Sequence, residues 1–192
     1  MHTIIQKHLL ATIDTQRLHL RHFLEQDAQD VYEYASDAQT IQYLTWPAHK
    51  SVQESKNSII HLLSNEGTYA IVLKETGKVI GCIDLRIVSY TEASFGYVLN
   101  RTYWNQGFMS EALQAALSYM FQDLGIETVE SCHETENPAS GAVMKKCGMQ
   151  WTHLAKHETM FGKTTDNDHY CMTKDAWAQR KAQSNLDCSL LI

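Results

Sequence analysis

The stretch of sequence that decides the fold is Leu99-Asn100-Arg101-Thr102-Tyr103-Trp104-Asn105-Gln106-Gly107-Phe108-Met109-Ser110-Glu111-Ala112. It leads from a strand predicted at 93–99 into a helix predicted at 110–124, whose apolar residues recur along one face. The first turn of a helix has free N–H groups and the positive end of the helix dipole, so it can bind an anion such as pyrophosphate. Gly107 stands where a side chain would hinder close approach of a ligand, although a glycine can equally serve a tight turn.

The rest of the chain predicts one domain in which strands and helices alternate. Further strands are predicted at 17–23, 69–74, 78–88, 128–133, 150–161 and 168–173, and further helices at 27–35, 52–63 and 138–147. Because a helix connects the strands at 93–99 and 128–133, we expect these two strands to be parallel. The expected fold is a mixed α/β sheet of about six to seven strands with helices on both faces. Residues 1–192 form a single domain in this prediction, with a core at about 15–177 and mobile tails at 1–12 and 178–192.

Composition narrows the classes of function. The 16 Lys and Arg against 22 Asp and Glu give a formal net charge of −6, which argues against nucleic acid as a partner. The five cysteines form no C-x-x-C pair, and His153 and His157 lack further ligands nearby, so we expect no metal site. No apolar segment approaches the ~18 residues needed to span a membrane. A soluble cytoplasmic protein with no membrane partner is expected.

Four blocks of sequence, in order, resemble the motifs of one enzyme family. The blocks are Thr15-Gln16-Arg17-Leu18-His19-Leu20-Arg21, Phe95-Gly96-Tyr97-Val98-Leu99, Trp104-Asn105-Gln106-Gly107-Phe108-Met109-Ser110-Glu111-Ala112, and Asn137-Pro138-Ala139-Ser140 with Val143-Met144-Lys145-Lys146-Cys147-Gly148-Met149. The family motifs read T-E-R-L-x-L-R, I-G-Y-W-L, W-G-K-G-Y-A-T-E-A and N-x-x-S-x-x-V-L-x-K-x-G-F. On these residues the chain resembles the GNAT superfamily of N-acetyltransferases, in particular its RimJ and RimL branch of ribosomal-protein N-terminal acetyltransferases.

This resemblance implies a GNAT-like fold and acetyl-CoA as co-substrate. It implies that main-chain groups of Val98 and Leu99 pair with the pantetheine arm. The pyrophosphate would be held by a run of loop amides, those of Gln106, Gly107, Phe108, Met109 and Ser110. Asn137 would hydrogen-bond the pantetheine, Lys146 would lie near the nucleotide end, and Ser140 would lie close to the leaving thiolate.

The expected catalytic residues are Ser140 and Glu136. Many GNAT enzymes protonate the thiolate with a tyrosine, but Met144 occupies the matching position, which leaves Ser140 as the best donor; a role as a CoA contact alone is an equal alternative. The family often carries a glutamate where this chain has Ser94. The candidate bases nearby are Glu92, His133, Glu134 and Glu136, and Glu136 is our choice among them.

Because the sequence shows no obvious strong base, it favours one class of acceptor. An α-amine with a pKa of about 7.7–8.0 is roughly one-third neutral near pH 7.5, whereas a lysine amine with a pKa of about 10.4 is only ~0.1% neutral. We therefore expect acetyl transfer to a protein or peptide N-terminus. A small amine such as a polyamine, amino acid or aminoglycoside remains an alternative, as does a non-catalytic acyl-CoA sensor. The acceptor pocket is expected from 27–63 and 154–168, and the protein is expected to be a monomer or homodimer.

Overall fold

The computed structural model describes residues 11–158 and 162–189, with the side chains of 184–189 excepted. Eight strands lie in this part of the chain: β1 (Ile13–Asp14), β2 (Leu18–Arg21), β3 (Thr68–Leu73), β4 (Val79–Ile87), β5 (Glu92–Leu99), β6 (Thr128–Glu134), β7 (Gln150–Glu158) and β8 (Thr164–Thr173). Five α-helices accompany them: α1 (Ala28–Ala35), α2 (Val52–His61), α3 (Phe108–Gln122), α4 (Pro138–Lys146) and α5 (Lys174–Ser189). Single 3₁₀ turns occupy Glu25–Asp27 and Arg101–Tyr103.

All eight strands form one mixed sheet in the order β1-β2-β3-β4-β5-β6-β8-β7. The neighbouring strands are antiparallel except β5 and β6, which pair in parallel with Glu92 opposite Thr128. The predicted parallel relationship is therefore confirmed, and so is the mixed α/β fold. The eighth strand is β1, whose two residues are too short to give an alternation signal in the sequence.

Helices pack on both faces of the sheet, as expected. The larger core lies on the face covered by α3 and α4, where Tyr69, Ile71, Phe95 and Leu117 are buried together. The smaller core lies under α1 and α2 and takes the intervening strand residues, such as Ala70 and Val72. This division follows from the geometry of a strand, in which successive side chains point to opposite faces.

The C-terminal segment, predicted as a mobile tail at 178–192, is helical as far as Ser189, and residues 190–192 lie outside the described part of the chain. Residues 174–189 form helix α5, and the Trp177 ring lies 5.6 Å from the Phe121 ring, measured between centroids. Arg180 Nη2 donates to the carbonyl oxygen of Lys146 at 2.7 Å. The sequence of this helix is mostly polar, so its apolar periodicity gave no signal, and packing through Trp177 anchors it instead. The predicted N-terminal tail is 1–12, of which residues 1–10 lie outside the described part of the chain.

The parallel strands β5 and β6 separate after three paired positions. Pairing runs from Glu92 opposite Thr128 to Ser94 opposite Glu130 and then ends. At the point of separation the Ser131 hydroxyl donates to the carbonyl oxygen of Phe95 at 2.8 Å, which satisfies a group left without a strand partner. Beyond it, the end of β5 borders an open cleft.

Candidate active site

A cleft of about 720 Å³ opens beside the end of β5, beyond the positions where β5 and β6 pair. Its walls come from the end of β5, the N-terminus of α3, one side of α4 and the segment that follows α1. That segment contributes Gln39, Thr40, Gln42, Tyr43 and Leu44, all within the 27–63 expected to build the acceptor pocket, whereas no described residue of 154–168 lines the cleft. The segment is held in place by Asp37, which accepts from the Thr40 hydroxyl at 2.6 Å and pairs with Arg101 at 3.2 Å.

The main-chain groups of β5 alternate between the cleft and strand β4. The amide of Asn100 donates to Ile80 on the β4 side, whereas the carbonyl oxygens of Phe95 and Leu99 accept from Ser131 and Trp104 on the other side. Because these groups alternate along a strand, Tyr97 and Leu99 direct theirs toward the cleft. Val98 lines the cleft but pairs opposite Cys82 and directs its main chain toward β4, which corrects its expected role.

The loop before α3 has the conformation that an anion site requires. Gly107 is the N-cap residue with φ of +80°, in the left-handed region that glycine adopts without strain. A Cβ at this position would have one neighbour within 4 Å, Nη2 of Arg17 at 3.5 Å. The Glu111 amide donates to the Gly107 carbonyl at 3.0 Å and so makes the first bond of the helix, which leaves the amides of Phe108, Met109 and Ser110 without helical acceptors. These three residues and Gly107 line the cleft.

Gln106, also predicted to hold the pyrophosphate, is placed differently. Its side-chain amide donates back to the Thr102 carbonyl at 2.9 Å, and the residue does not line the cleft. Trp104 lies nearby and donates its indole N–H to the Leu99 carbonyl at 2.7 Å. This hydrogen bond connects the loop to the end of β5. Because it occupies the Leu99 carbonyl, the amide is the main-chain group through which Leu99 can bind a ligand in the cleft.

A brace from the N-terminal part of the chain holds the same loop, and sequence reasoning did not find it. Arg17 Nε donates to Glu111 Oε2 at 2.6 Å, Arg17 Nη1 donates to the Gln106 carbonyl at 3.1 Å, and the guanidinium lies 4.2 Å from the centroid of the Phe108 ring. The Thr15 hydroxyl donates to Glu111 Oε1 at 2.6 Å. Burial alone would raise the pKa of Glu111, but the hydrogen bonds from Thr15 and Arg17 outweigh it and lower that pKa below its ordinary value.

Helix α4 brings the predicted residues of the fourth block to the opposite wall. Asn137 caps the helix by accepting from the amide of Ser140 at 3.3 Å, and Pro138 takes the first helical position, both as predicted. Asn137, Ser140 and Lys146 all line the cleft, with Lys146 exposed at the far end of the helix. Met144 is only 1% exposed and packs in the larger core, so it takes no part in the cleft surface.

The cleft also contains a pair of hydroxyl groups that sequence reasoning only half identified. The Tyr97 hydroxyl donates to the Ser140 carbonyl at 2.9 Å and lies 3.0 Å from Ser140 Oγ. Burial raises the pKa of Tyr97 above its ordinary value, so the phenol remains protonated at neutral pH. The sequence does show that Tyr97 and Leu99 lie on the same side of β5. This pattern assigns Tyr97 to the cleft only once the structure shows which side of β5 borders the cleft.

Of the four candidate bases, only Glu136 lines the cleft. It is exposed at the beginning of α4. Glu92 lies at the other end of β5, opposite Thr128, and Glu134 pairs with Lys163 at 3.0 Å. His133 is buried, with its Nδ1 2.8 Å from the Glu134 carbonyl and its ring stacked on Tyr170.

Two absences apply to residues 11–158 and 162–189. Among them, no group of three or more His, Cys, Asp or Glu side chains is arranged to hold a metal ion. No helix in this same part of the chain is long and apolar enough to cross a membrane.

Comparison with known proteins identifies the family. Residues 17–150, which include the loop, the cleft and α4, match the model of the acetyltransferase (GNAT) domain. The chain belongs to the GNAT acetyltransferase family. This GNAT acetyltransferase is 30% identical to the uncharacterized N-acetyltransferase p20 of Bacillus licheniformis over 177 residues, which cover 88% of this chain and 99% of that protein.

Solved structures share the fold. A GNAT-family acetyltransferase from Bacillus anthracis superposes with a TM-score of 0.79 at 24% identity, covering 86% of this chain and 99% of that one. The microcin C7 self-immunity acetyltransferase MccE, solved with acetyl-CoA and AMP, gives 0.71 at 21% identity, covering 83% and 93%. The ribosomal-protein-S5-alanine acetyltransferase of Vibrio fischeri gives 0.66 at 17% identity, covering 87% and 98%. GNAT acetyltransferases use acetyl-CoA as the acetyl donor, and the protein is accordingly an acetyltransferase.

Proposed function

We propose that this GNAT acetyltransferase transfers acetyl from acetyl-CoA directly to the α-amine of a protein or peptide N-terminus, in the manner of the RimJ and RimL branch that its motifs resemble. One observation carries the choice of acceptor. The cleft lining among the described residues includes one carboxylate, the exposed Glu136, and no histidine. An exposed glutamate is a weak base, so the enzyme needs an amine that is already substantially neutral.

The magnitudes favour an α-amine over a lysine side chain. With pKa values of about 7.7–8.0 and about 10.4, the neutral fractions near pH 7.5 differ by a factor of several hundred. A strong base buried beside the cleft could offset that difference, because burial and neighbouring charges shift catalytic pKa values by several units. Glu136 is exposed and so lacks that burial.

The fit of acetyl-CoA to the cleft rests on this chain's own groups. The amides at the start of α3 hold the pyrophosphate at the positive end of the helix dipole, where Gly107 leaves the approach open. The main-chain groups of Tyr97 and Leu99 take the pantetheine arm along the free edge of β5. Asn137 hydrogen-bonds the arm from the opposite wall, and Lys146 offers a positive charge near the nucleotide.

The chemistry follows from the groups around the thioester. An N–H of β5 that faces the cleft polarises the carbonyl and stabilises the oxyanion that forms when the amine attacks. Ser140 donates its hydroxyl proton to the departing sulfur, and Glu136 accepts the proton that the nitrogen loses, through water. The likeness in fold to the ribosomal-protein-S5-alanine acetyltransferase of Vibrio fischeri agrees with a peptide acceptor.

A thiol-release assay with matched acceptors tests the proposal. Two peptides of one sequence are compared at pH 7.5: the first has a free N-terminus and no free lysine, and the second has an acetylated N-terminus and one free lysine. We expect turnover with the first and less than about a hundredth of it with the second. A polyamine and an aminoglycoside are assayed in parallel, with CoA affinity measured by titration calorimetry on the same sample.

Three results would contradict the proposal in different ways. Preferred turnover of the polyamine or aminoglycoside would replace the peptide acceptor by a small amine. Tight CoA binding without turnover of any acceptor would indicate a sensor. No CoA binding would overturn the assignment of the cleft itself.

A further inference from the structure

We propose that Tyr97 is a positioning residue that directs the Ser140 hydroxyl at the coenzyme sulfur. The inference rests on the proposed function of Ser140 as the proton donor. It starts from one geometry: the phenol oxygen of Tyr97 is 2.9 Å from the Ser140 carbonyl oxygen and 3.0 Å from Ser140 Oγ. Both residues line the cleft.

The hydroxyl groups of Tyr97 and Ser140 can be hydrogen-bonded in two alternative arrangements. A phenol has one hydrogen to donate, and two acceptors of Ser140 compete for it at nearly equal distances. When the phenol donates to the carbonyl, the phenol oxygen can accept the Ser140 hydroxyl, which then points at the phenol and not at the sulfur. When the phenol donates to Oγ, the Ser140 hydrogen is free to point at the sulfur. The Ser140 carbonyl lies within α4, where the amide four residues on is its helical donor, so it keeps a partner in either arrangement.

The surroundings of Tyr97 hold its hydroxyl in place. Its ring is stacked on Phe95, with centroids 5.9 Å apart and planes 17° apart. Its position on β5, opposite Ile83 in the register with β4, gives it a rigid backbone. Burial keeps the phenol protonated, so it serves as a hydrogen-bond donor throughout the working pH range.

The protons gained and lost in the step balance, and Tyr97 keeps its own proton throughout. As the carbon–sulfur bond breaks, the thiolate takes the Ser140 hydroxyl proton. Negative charge that develops on Oγ is stabilised by the phenol hydrogen bond, which is charge-assisted at that moment. Glu136 takes the proton that the attacking nitrogen must lose to become the amide, and passes it through water to Ser140. Tyr97 and Ser140 end as they began.

Three variants and one control test the inference with the acceptor that the wild-type enzyme turns over. Tyr97→Phe keeps the stacked ring and removes the hydroxyl. We expect it to lower kcat by about 10- to 100-fold while KM for acetyl-CoA and CoA affinity change less than about threefold. Ser140→Ala should lower kcat at least as much. The double variant should be within about twofold of Ser140→Ala alone, because the phenol acts through a group that is already absent.

Tyr34→Phe is the matched control. Tyr34 is a buried tyrosine in the smaller core, on the other face of the sheet from α4 and outside the cleft lining. We expect it to retain wild-type kcat, so that loss of a buried phenol hydroxyl alone does not explain the result.

Each contrary result would contradict a particular part of the inference, either the role of Tyr97 or that of Ser140. A double variant whose losses multiply, or a Tyr97→Phe loss matched by an equal loss of CoA affinity, would make Tyr97 a structural residue. Wild-type kcat in Tyr97→Phe would remove its role altogether. Wild-type kcat in Ser140→Ala would show that Ser140 is not the donor and would overturn the inference with it. None of these results would contradict acetyl transfer by the wild-type enzyme, which is measured in the same assay.

Discussion

Arg17 Nε donates to Glu111 Oε2 at 2.6 Å, and this contact joins residues 94 positions apart in the chain. It fixes the first turn of α3 to the segment just before β2. Through the second contact of Arg17, with the Gln106 carbonyl, it also supports the loop on which pyrophosphate binding is proposed. Two blocks of the sequence that carry the family resemblance are therefore one structural unit.

Replacing Arg17 tests whether its contacts support CoA binding by the loop before α3. Arg17→Ala removes the ion pair, the bond to Gln106 and the contact with the Phe108 ring, so the loop loses its preorganised form. Because the arginine is 43% exposed, the ion pair itself is screened, and we expect CoA affinity to fall by roughly 5- to 30-fold with kcat at saturating acetyl-CoA little changed. Titration calorimetry measures the affinity. Lys174→Ala, which breaks a surface ion pair with Glu127 away from the cleft, is the control and should bind CoA normally.

Gly107→Glu should abolish measurable CoA binding while the protein remains folded. The side chain would place bulk and negative charge at the anion site, and the left-handed backbone adds strain of about 1 kcal/mol or more. Gly125→Glu is a close match, because Gly125 has φ of +72°, nothing within 4 Å of a Cβ, and no place in the cleft. Both variants should lose similar stability in thermal unfolding, and only Gly107→Glu should lose CoA. Equal CoA affinity in the two would show that the phosphate site lies elsewhere.

Gly141→Ala should destabilise the protein through His133. A Cβ on Gly141 would lie 2.3 Å from His133 Nε2, so either the ring or helix α4 must move. We expect a loss of about 1–3 kcal/mol in the free energy of unfolding, measured with urea. Asn137 and Ser140 are on the same helix, so CoA affinity and kcat should fall too. A double-mutant cycle with His133→Ala checks the cause, because the methyl group added at position 141 should cost much less once the ring is gone.

The pH dependence of stability should contain a contribution from Glu111. Its pKa in the folded protein is lowered, so the folded state binds this proton less tightly than the unfolded chain does. The contribution is fully present above the ordinary value of 4.5 and is lost as pH falls below it through the lowered folded pKa. Glu111→Gln should therefore cost more stability at pH 7 than at pH 3 in urea unfolding. An equal cost at both pH values would contradict the brace.

Much of the fold was predictable because its signals are local. The alternation of β4 and β5, the periodic face of α3 and the Asn137-Pro138 start of α4 each depend on neighbours in the sequence. Helix α5 was missed for the same reason, since its polar sequence has little apolar periodicity and Trp177 anchors it from a distance.

The sequence by itself determined the elements between β2 and β8, their order and the loop at Gly107, because helix periodicity, strand alternation and glycine's left-handed freedom act over a few residues. Only the tertiary structure decided which side of β5 faces the cleft, and so that Tyr97 and not Val98 presents its main chain there. It also decided that Tyr97 meets Ser140 across 43 residues and that Arg17 meets Glu111 across 94. Those contacts depend on where strands β5 and β6 separate and how α3 and α4 pack, and no short stretch of sequence carries that information.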